Sequence, residues 1–135
     1  HNWYVRFNPN GKEYIVGSRS CNRQILGRLI LSRKTGHELR TGELCDYVNR
    51  NAFDCRRKNL RIANKAQKAQ HVGKRIDNTS GLKGVSWDKD AQKWVAKIRF
   101  NGSLLCLGVH DYPEHAYAAY CRAAIKYHDE FACFE

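Results

Sequence analysis

Over the second half of the stretch Lys93-Trp94-Val95-Ala96-Lys97-Ile98-Arg99-Phe100, apolar and polar positions alternate strictly. Ala96, Ile98 and Phe100 share one face and Lys97 and Arg99 the other, the period-two pattern of a half-buried strand. Asn101-Gly102 follows, a pair that tolerates positive φ at both turn positions, so a tight hairpin into Ser103-Leu104-Leu105-Cys106-Leu107-Gly108 is expected. Lys83 to Trp87 reads as a strand before it, with Asp88 to Gln92 as the polar turn between. Past Tyr112-Pro113-Glu114, where proline suits a first helical turn, Ala116, Ala119, Tyr120, Ala123, Ala124 and Tyr127 recur at helical spacing. That small-residue face predicts a helix lying close against the sheet.

The earlier part of the chain is more broken. Trp3 to Phe7, the turn Asn8-Pro9-Asn10-Gly11, and Glu13 to Val16 predict a β-hairpin. Gln24 to Leu31 reads as a short apolar helix, Cys45 to Val48 as a strand, and Asn49 to Arg57 as a tight polar loop or helical turn. Arg61-Ile62-Ala63 reads as a second strand and Lys65 to Val72 as a helix. The turn cluster Asn78-Thr79-Ser80-Gly81 marks the expected junction of two modules, 1–77 and 78–135. The fold class expected is α+β: a small ββα-type module, then a three-stranded antiparallel sheet packed on one helix.

Charge narrows the function. The 135 residues carry 24 Lys+Arg against 13 Asp+Glu, net +11, with 42% hydrophobic residues and 2 Pro. This is globular composition, and the surplus points to a polyanionic partner. Residues 1–77 hold 17 basic and 6 acidic residues, and residues 78–135 hold 7 of each, so the whole surplus lies in the first part. Arg50, Arg56, Arg57, Lys58, Arg61, Lys65, Lys68, Lys74 and Arg75 stand against Asp54 alone between positions 50 and 75. No apolar run is long enough to span a bilayer, and no charged-then-apolar leader opens the chain. An intracellular location with DNA is therefore expected. The opening His1 suggests that segments precede it. Cys21, Cys45, Cys55, Cys106, Cys121 and Cys133 contain no Cys-x-x-Cys pair, which argues for reduced thiols over a zinc site.

The elements SG-x-KGVSWDK, KW-x-A-x-I, NG and LG, followed by an Ala-rich helix, stand in order in residues 78–135. This segment resembles the APETALA-type, or ethylene-response-factor, DNA-binding domain over its full length. The resemblance implies a three-stranded sheet that lays its open face in the major groove. It places Lys83, Ser86, Asp88, Lys97, Arg99, Leu104 and Cys106 on that face. Ser86, Asp88, Leu104 and Cys106 replace arginines of the plant family's reading face, so its GC-rich target does not carry over. Leu104 and Cys106 suit either a C5-methyl contact or a half-buried place in the sheet.

Residues 24–70 carry a second set of motifs: Leu26-Gly27-Arg28-Leu29-Ile30, Asp46-Tyr47, Asn49, Asn51, Asp54, Arg56-Arg57, and Asn59-Leu60-Arg61-Ile62-Ala63. They resemble the HNH homing endonucleases of phages and mobile elements. In that family an aspartate and a later asparagine hold one divalent cation on the scissile phosphate, and an adjacent histidine acts as general base. Asp46 matches the aspartate, whereas the base position is Tyr47, the asparagine position is Lys68, and the histidine of the Leu-His-Arg string is Gly27. A phenol holds its proton near neutral pH, and an ammonium repels a cation. The resemblance thus implies a nuclease scaffold with degenerate catalytic positions.

These readings combine into a non-catalytic, sequence-specific or modification-sensitive binder of double-stranded DNA derived from an HNH homing endonuclease. No cofactor, membrane or small-molecule substrate is expected, and the oligomeric state is open. Phosphate contacts are expected from Arg28, Arg50, Arg56, Arg57, Lys58, Arg61, Lys65, Lys68, Lys74 and Arg75, with Lys65, Lys68 and the Arg56-Arg57-Lys58 cluster standing in for the lost metal. The alternative is an active nickase or endonuclease in which Asp46 holds Mg2+ or Mn2+. An RNA-binding or protein-interaction module is a third reading.

Overall fold

The computed structural model describes residues 2–19 and 22–135; His1, Ser20 and Cys21 lie outside the described residues. The chain forms two compact units, His1–Lys65 and Ala66–Glu135. Helices and antiparallel sheets together make an α+β fold, as expected from the sequence.

In the first unit, β1 (Asn2–Phe7), β2 (Glu13–Arg19) and β3 (Asn22–Ile25) form an antiparallel sheet in that order. The turn of the expected hairpin closes on Asn8, whose Oδ1 accepts the N–H groups of Asn10 and Lys12. Trp3 lies opposite Gly17, and its ring covers the space a side chain there would fill. The helix expected from Gln24 begins instead at Leu26, because Gln24 and Ile25 pair with Gly17 and Val16 in the sheet. It continues past Leu31 as α1 (Leu26–Thr35). The polar end of α1 is satisfied by its own turns: Ser32 Oγ donates to the Arg28 carbonyl and Thr35 Oγ1 to that of Leu31.

Next come β4 (Leu44–Tyr47), a 3-10 turn (Arg57–Asn59), β5 (Leu60–Ala63) and α2 (Lys65–Gln70). β4 and β5 are antiparallel, with Asp46 opposite Arg61 and Tyr47 opposite Leu60. Leu31, Leu39 and Leu60 form the core here, flanked by Ile30, Cys45, Tyr47 and Ile62. Lys34 ties α1 to this region, its Nζ donating to the carbonyls of Arg57 and Leu60 at 3.0 and 2.8 Å.

In the second unit, β6 (Val85–Asp88), β7 (Lys93–Phe100) and β8 (Ser103–His110) form an antiparallel sheet in that order, followed by α3 (Pro113–His128). The Asn101-Gly102 turn has φ of 48° and 77°, the left-handed pair a two-residue hairpin requires. Ile98, Tyr120, Ala123 and Ala124 pack together, and Val85, Ala96 and Ala116 form a second cluster. Both clusters join the face set by alternation to the alanine face of the helix. The pairing shifts between Val95 and Lys97, where Leu107 and Gly108 of β8 oppose Ala96. Beyond this bulge β8 runs two residues further than the sequence predicts.

The two units divide between Lys65 and Ala66, earlier than the junction expected at the Asn78 turn. Hydrogen bonds account for the difference. Lys83 Nζ donates to the carbonyls of Gln70 and Val72, Lys74 Nζ to that of Gly81, and the Lys74 N–H to that of Glu135. These bonds bind residues 70–74 into the second unit.

Candidate nucleic-acid interface

The sheet of the second unit has one face on α3 and one open. Ser86, Lys97, Arg99, Leu104 and Cys106 are all exposed, and Lys97 pairs with Cys106 and Arg99 with Leu104 across β7 and β8. Five of the seven residues expected on a reading face therefore share this surface. The strand beneath them is held from behind. His128, buried at the end of α3, has Nε2 2.8 Å from the Arg99 carbonyl, and the Lys97 N–H donates to the Gly84 carbonyl at 2.8 Å.

The other two expected residues have structural duties. Lys83 is half-buried, with its ammonium on the Gln70 and Val72 carbonyls and 5.9 Å from the Tyr120 ring centroid. Asp88 caps the turn after β6, its Oδ1 accepting the N–H groups of Asp90 and Ala91. Trp87 and Trp94 meet edge to face at 5.1 Å, a packing contact on the helix side of the sheet.

The first unit carries the basic loop. Asn59, buried, organises it: Nδ2 donates to Asn49 Oδ1 and the Asp54 carbonyl, and Oδ1 accepts the Asn49 N–H. Asn49 Nδ2 in turn donates to Asp54 Oδ2. Arg56 grips both oxygens of Asp54, and the hydrogen bonds from its guanidinium hold that carboxyl down to about 2. Arg50, Arg56, Arg57 and Lys58 are exposed around this frame. A loop framed by these hydrogen bonds presents Arg57 and Lys58 to solvent, where they can meet phosphates at a reduced ordering cost.

The remaining expected cations are spread. Arg28 is exposed but donates to the Leu39 carbonyl at 3.1 Å. On α2, Lys65 is exposed and Lys68 half-buried. Arg75 and Asp77 form an exposed bidentate pair. Arg61 differs in kind: its Nε donates to Asp46 Oδ2 at 2.8 Å, with the two side chains only 15% and 6% exposed.

Gly27, Asp46 and Tyr47 each have a packing or charge partner within the first unit. Asp46, buried, presents its carboxylate to Arg61. Tyr47 follows it in the half-buried space beside Cys45 and Cys55, and burial first, then those thiols, push its phenol above the ordinary value. Its proton is held more tightly than in water, the opposite of what a general base needs. A Cβ built on Gly27 would stand 2.2 Å from the Tyr47 hydroxyl, so the tyrosine fills the room a side chain at position 27 would take. The Asp46 carboxylate is bound to a guanidinium, the partner that a metal ion would have to displace. Among the described residues no group of three His, Cys, Asp or Glu side chains gathers to hold one.

Gly27 and Tyr47 are therefore coupled, and a double-mutant cycle measures it. Gly27→Ala alone is expected to destabilise by about 1–3 kcal/mol through overpacking. In a Tyr47→His background most of that extra cost is expected to vanish, as read by urea denaturation. Additive effects would show that Tyr47 does not hold position 27 small.

Sequence reasoning missed His128, Lys34 and Val109. The first two act through backbone carbonyls 29 and 26 residues away, a separation no local pattern reveals. Val109 lies beyond the bulge, exposed opposite Val95. Among the described residues Cys45, Cys55, Cys106, Cys121 and Cys133 form no disulfide. No family model, curated protein or solved structure matches this chain.

Proposed function

We propose that this protein binds double-stranded DNA without cleaving it, reading the major groove with β6–β8 and gripping phosphates with the loop between β4 and β5. The observation that carries this reading is the open sheet face. Two cations, Lys97 and Arg99, stand on one strand of a sheet whose opposite face is fixed by α3. A small sheet fits the major groove, where arginine and lysine pair with guanine O6 and N7. The likeness of residues 78–135 to an APETALA-type domain, and of residues 24–70 to HNH homing endonucleases, points the same way. It suggests a nuclease scaffold retained for binding, with Asp46 at the aspartate position held by Arg61 and Tyr47 at the base position.

Fluorescence anisotropy on duplexes selected from a random pool tests the reading. Arg99→Ala is expected to weaken the selected duplex about 5- to 100-fold and to relax preference at one base pair. Arg57→Ala with Lys58→Ala is expected to weaken all duplexes alike and to flatten the salt slope by about 0.9 per lost phosphate contact. Matched duplex RNA should compete poorly, because its major groove is too narrow for a sheet. Nicking of supercoiled plasmid by the purified chain, dependent on Mg2+ or Mn2+, would overturn the non-catalytic part.

A further inference from the structure

Past Val95, which is buried, the open face is divided by strand, with the cations Lys97 and Arg99 on β7 and apolar groups on β8. Lys97 has Cys106 directly across from it, and Arg99 has Leu104. Directly opposed residues on one face stand about 5 Å apart at Cβ, so each cation has an apolar neighbour within one base step's reach. Leu104 is 57% exposed and Val109 is 53% exposed. These side chains cannot join the core, because Leu105 and Leu107 already occupy the helix side of the same strand. β8 is also an edge strand, where bare apolar groups invite association unless something covers them.

The flanking cations restrict what that cover is. A polyanion suits Lys97 and Arg99, and within the major groove the one apolar feature of a base edge is a methyl group on C5 of a pyrimidine. We propose that this face selects duplexes by their C5-methyl groups. Leu104 and Cys106 close on the methyl of thymine or 5-methylcytosine, while Arg99 and Lys97 hold O6 and N7 of guanine in a neighbouring pair. The inference rests on the DNA-binding reading above and adds the chemical class of its target.

Uracil lacks only the thymine methyl, and 5-methylcytosine adds only that group to cytosine, so single replacements isolate it. On the best duplex from the random pool, each thymine is replaced in turn by uracil and each cytosine by 5-methylcytosine, with Kd read by anisotropy at fixed salt. Losing or gaining the contacted methyl is expected to change Kd about fourfold at one or two positions. The uracil series identifies thymine as the source and the other series identifies methylcytosine. Leu104→Ala is expected to bring that ratio close to one. Ile125→Ala, which alters an exposed apolar residue on α3, is expected to keep it. A selected duplex whose Kd is unchanged through both series, or a ratio that survives Leu104→Ala, overturns the inference and leaves DNA binding standing. Failure to select any duplex overturns both.

Discussion

Asp46→Ala is expected to cost the first unit about 3–5 kcal/mol, because it removes the carboxylate that the partly buried Arg61 guanidinium grips. Asp46 is 4% exposed, and the Nε–Oδ2 separation is 2.8 Å. The two residues lie opposite each other on strands of four residues each, next to the Tyr47–Leu60 pair that joins the core. A loss of that size is a large share of the stability a domain of this length holds. Hydrogen exchange of the β4 and β5 amides, with urea denaturation of the whole chain, reads the effect in this unit. Replacing both residues, as Asp46→Leu with Arg61→Met, is expected to recover most of it. Should Asp46→Ala leave the β4 and β5 amides as protected as before, the pair contributes little to the fold.

Gly84→Ala is the second large effect, and it strikes the open sheet face from behind. Gly84 sits at φ +75°, a region that costs other residues about 1–2 kcal/mol. An added Cβ would also stand 2.1 Å from the nearest carbon of the Tyr120 ring. That ring has nowhere to go. Tyr120 is 2% exposed, stacks on Tyr117, and donates its hydroxyl to the Cys133 carbonyl at 3.2 Å. Overpacking adds about 1–3 kcal/mol. The Gly84 carbonyl accepts the Lys97 N–H, so displacement of residue 84 moves the strand that carries the proposed base contacts. Thermal unfolding and duplex affinity are expected to fall together. An unchanged Tm would show that Tyr120 yields space freely.

How far the site was legible follows from the range of the interactions involved. Lys97 and Arg99 could be placed on the open face because strand alternation is local, and Asn101-Gly102 sets its own backbone. The alanine face of α3 is legible for the same reason. The roles of Arg61 and Lys83 were not. In sequence each is one more cation in a basic chain, and only a carboxylate 15 residues away or carbonyls 11 and 13 residues away mark them as structural. β3 was missed on similar grounds: Asn22 to Ile25 becomes a strand through pairing with β2, against the helical reading of Gln24 onward.

By itself the sequence determined the α+β class, the helix-facing and open faces of the second sheet, and the net charge of +11. Those properties come from residues a few positions apart or from simple sums. The tertiary structure decided which cations remain outward and which are held by carbonyls and carboxylates. It also decided that Tyr47 fills the space above Gly27 and that residues 66–77 belong with the second unit. Each of these depends on groups brought together by chain closure, and hydrogen bonds and steric contact act at distances that sequence spacing does not encode.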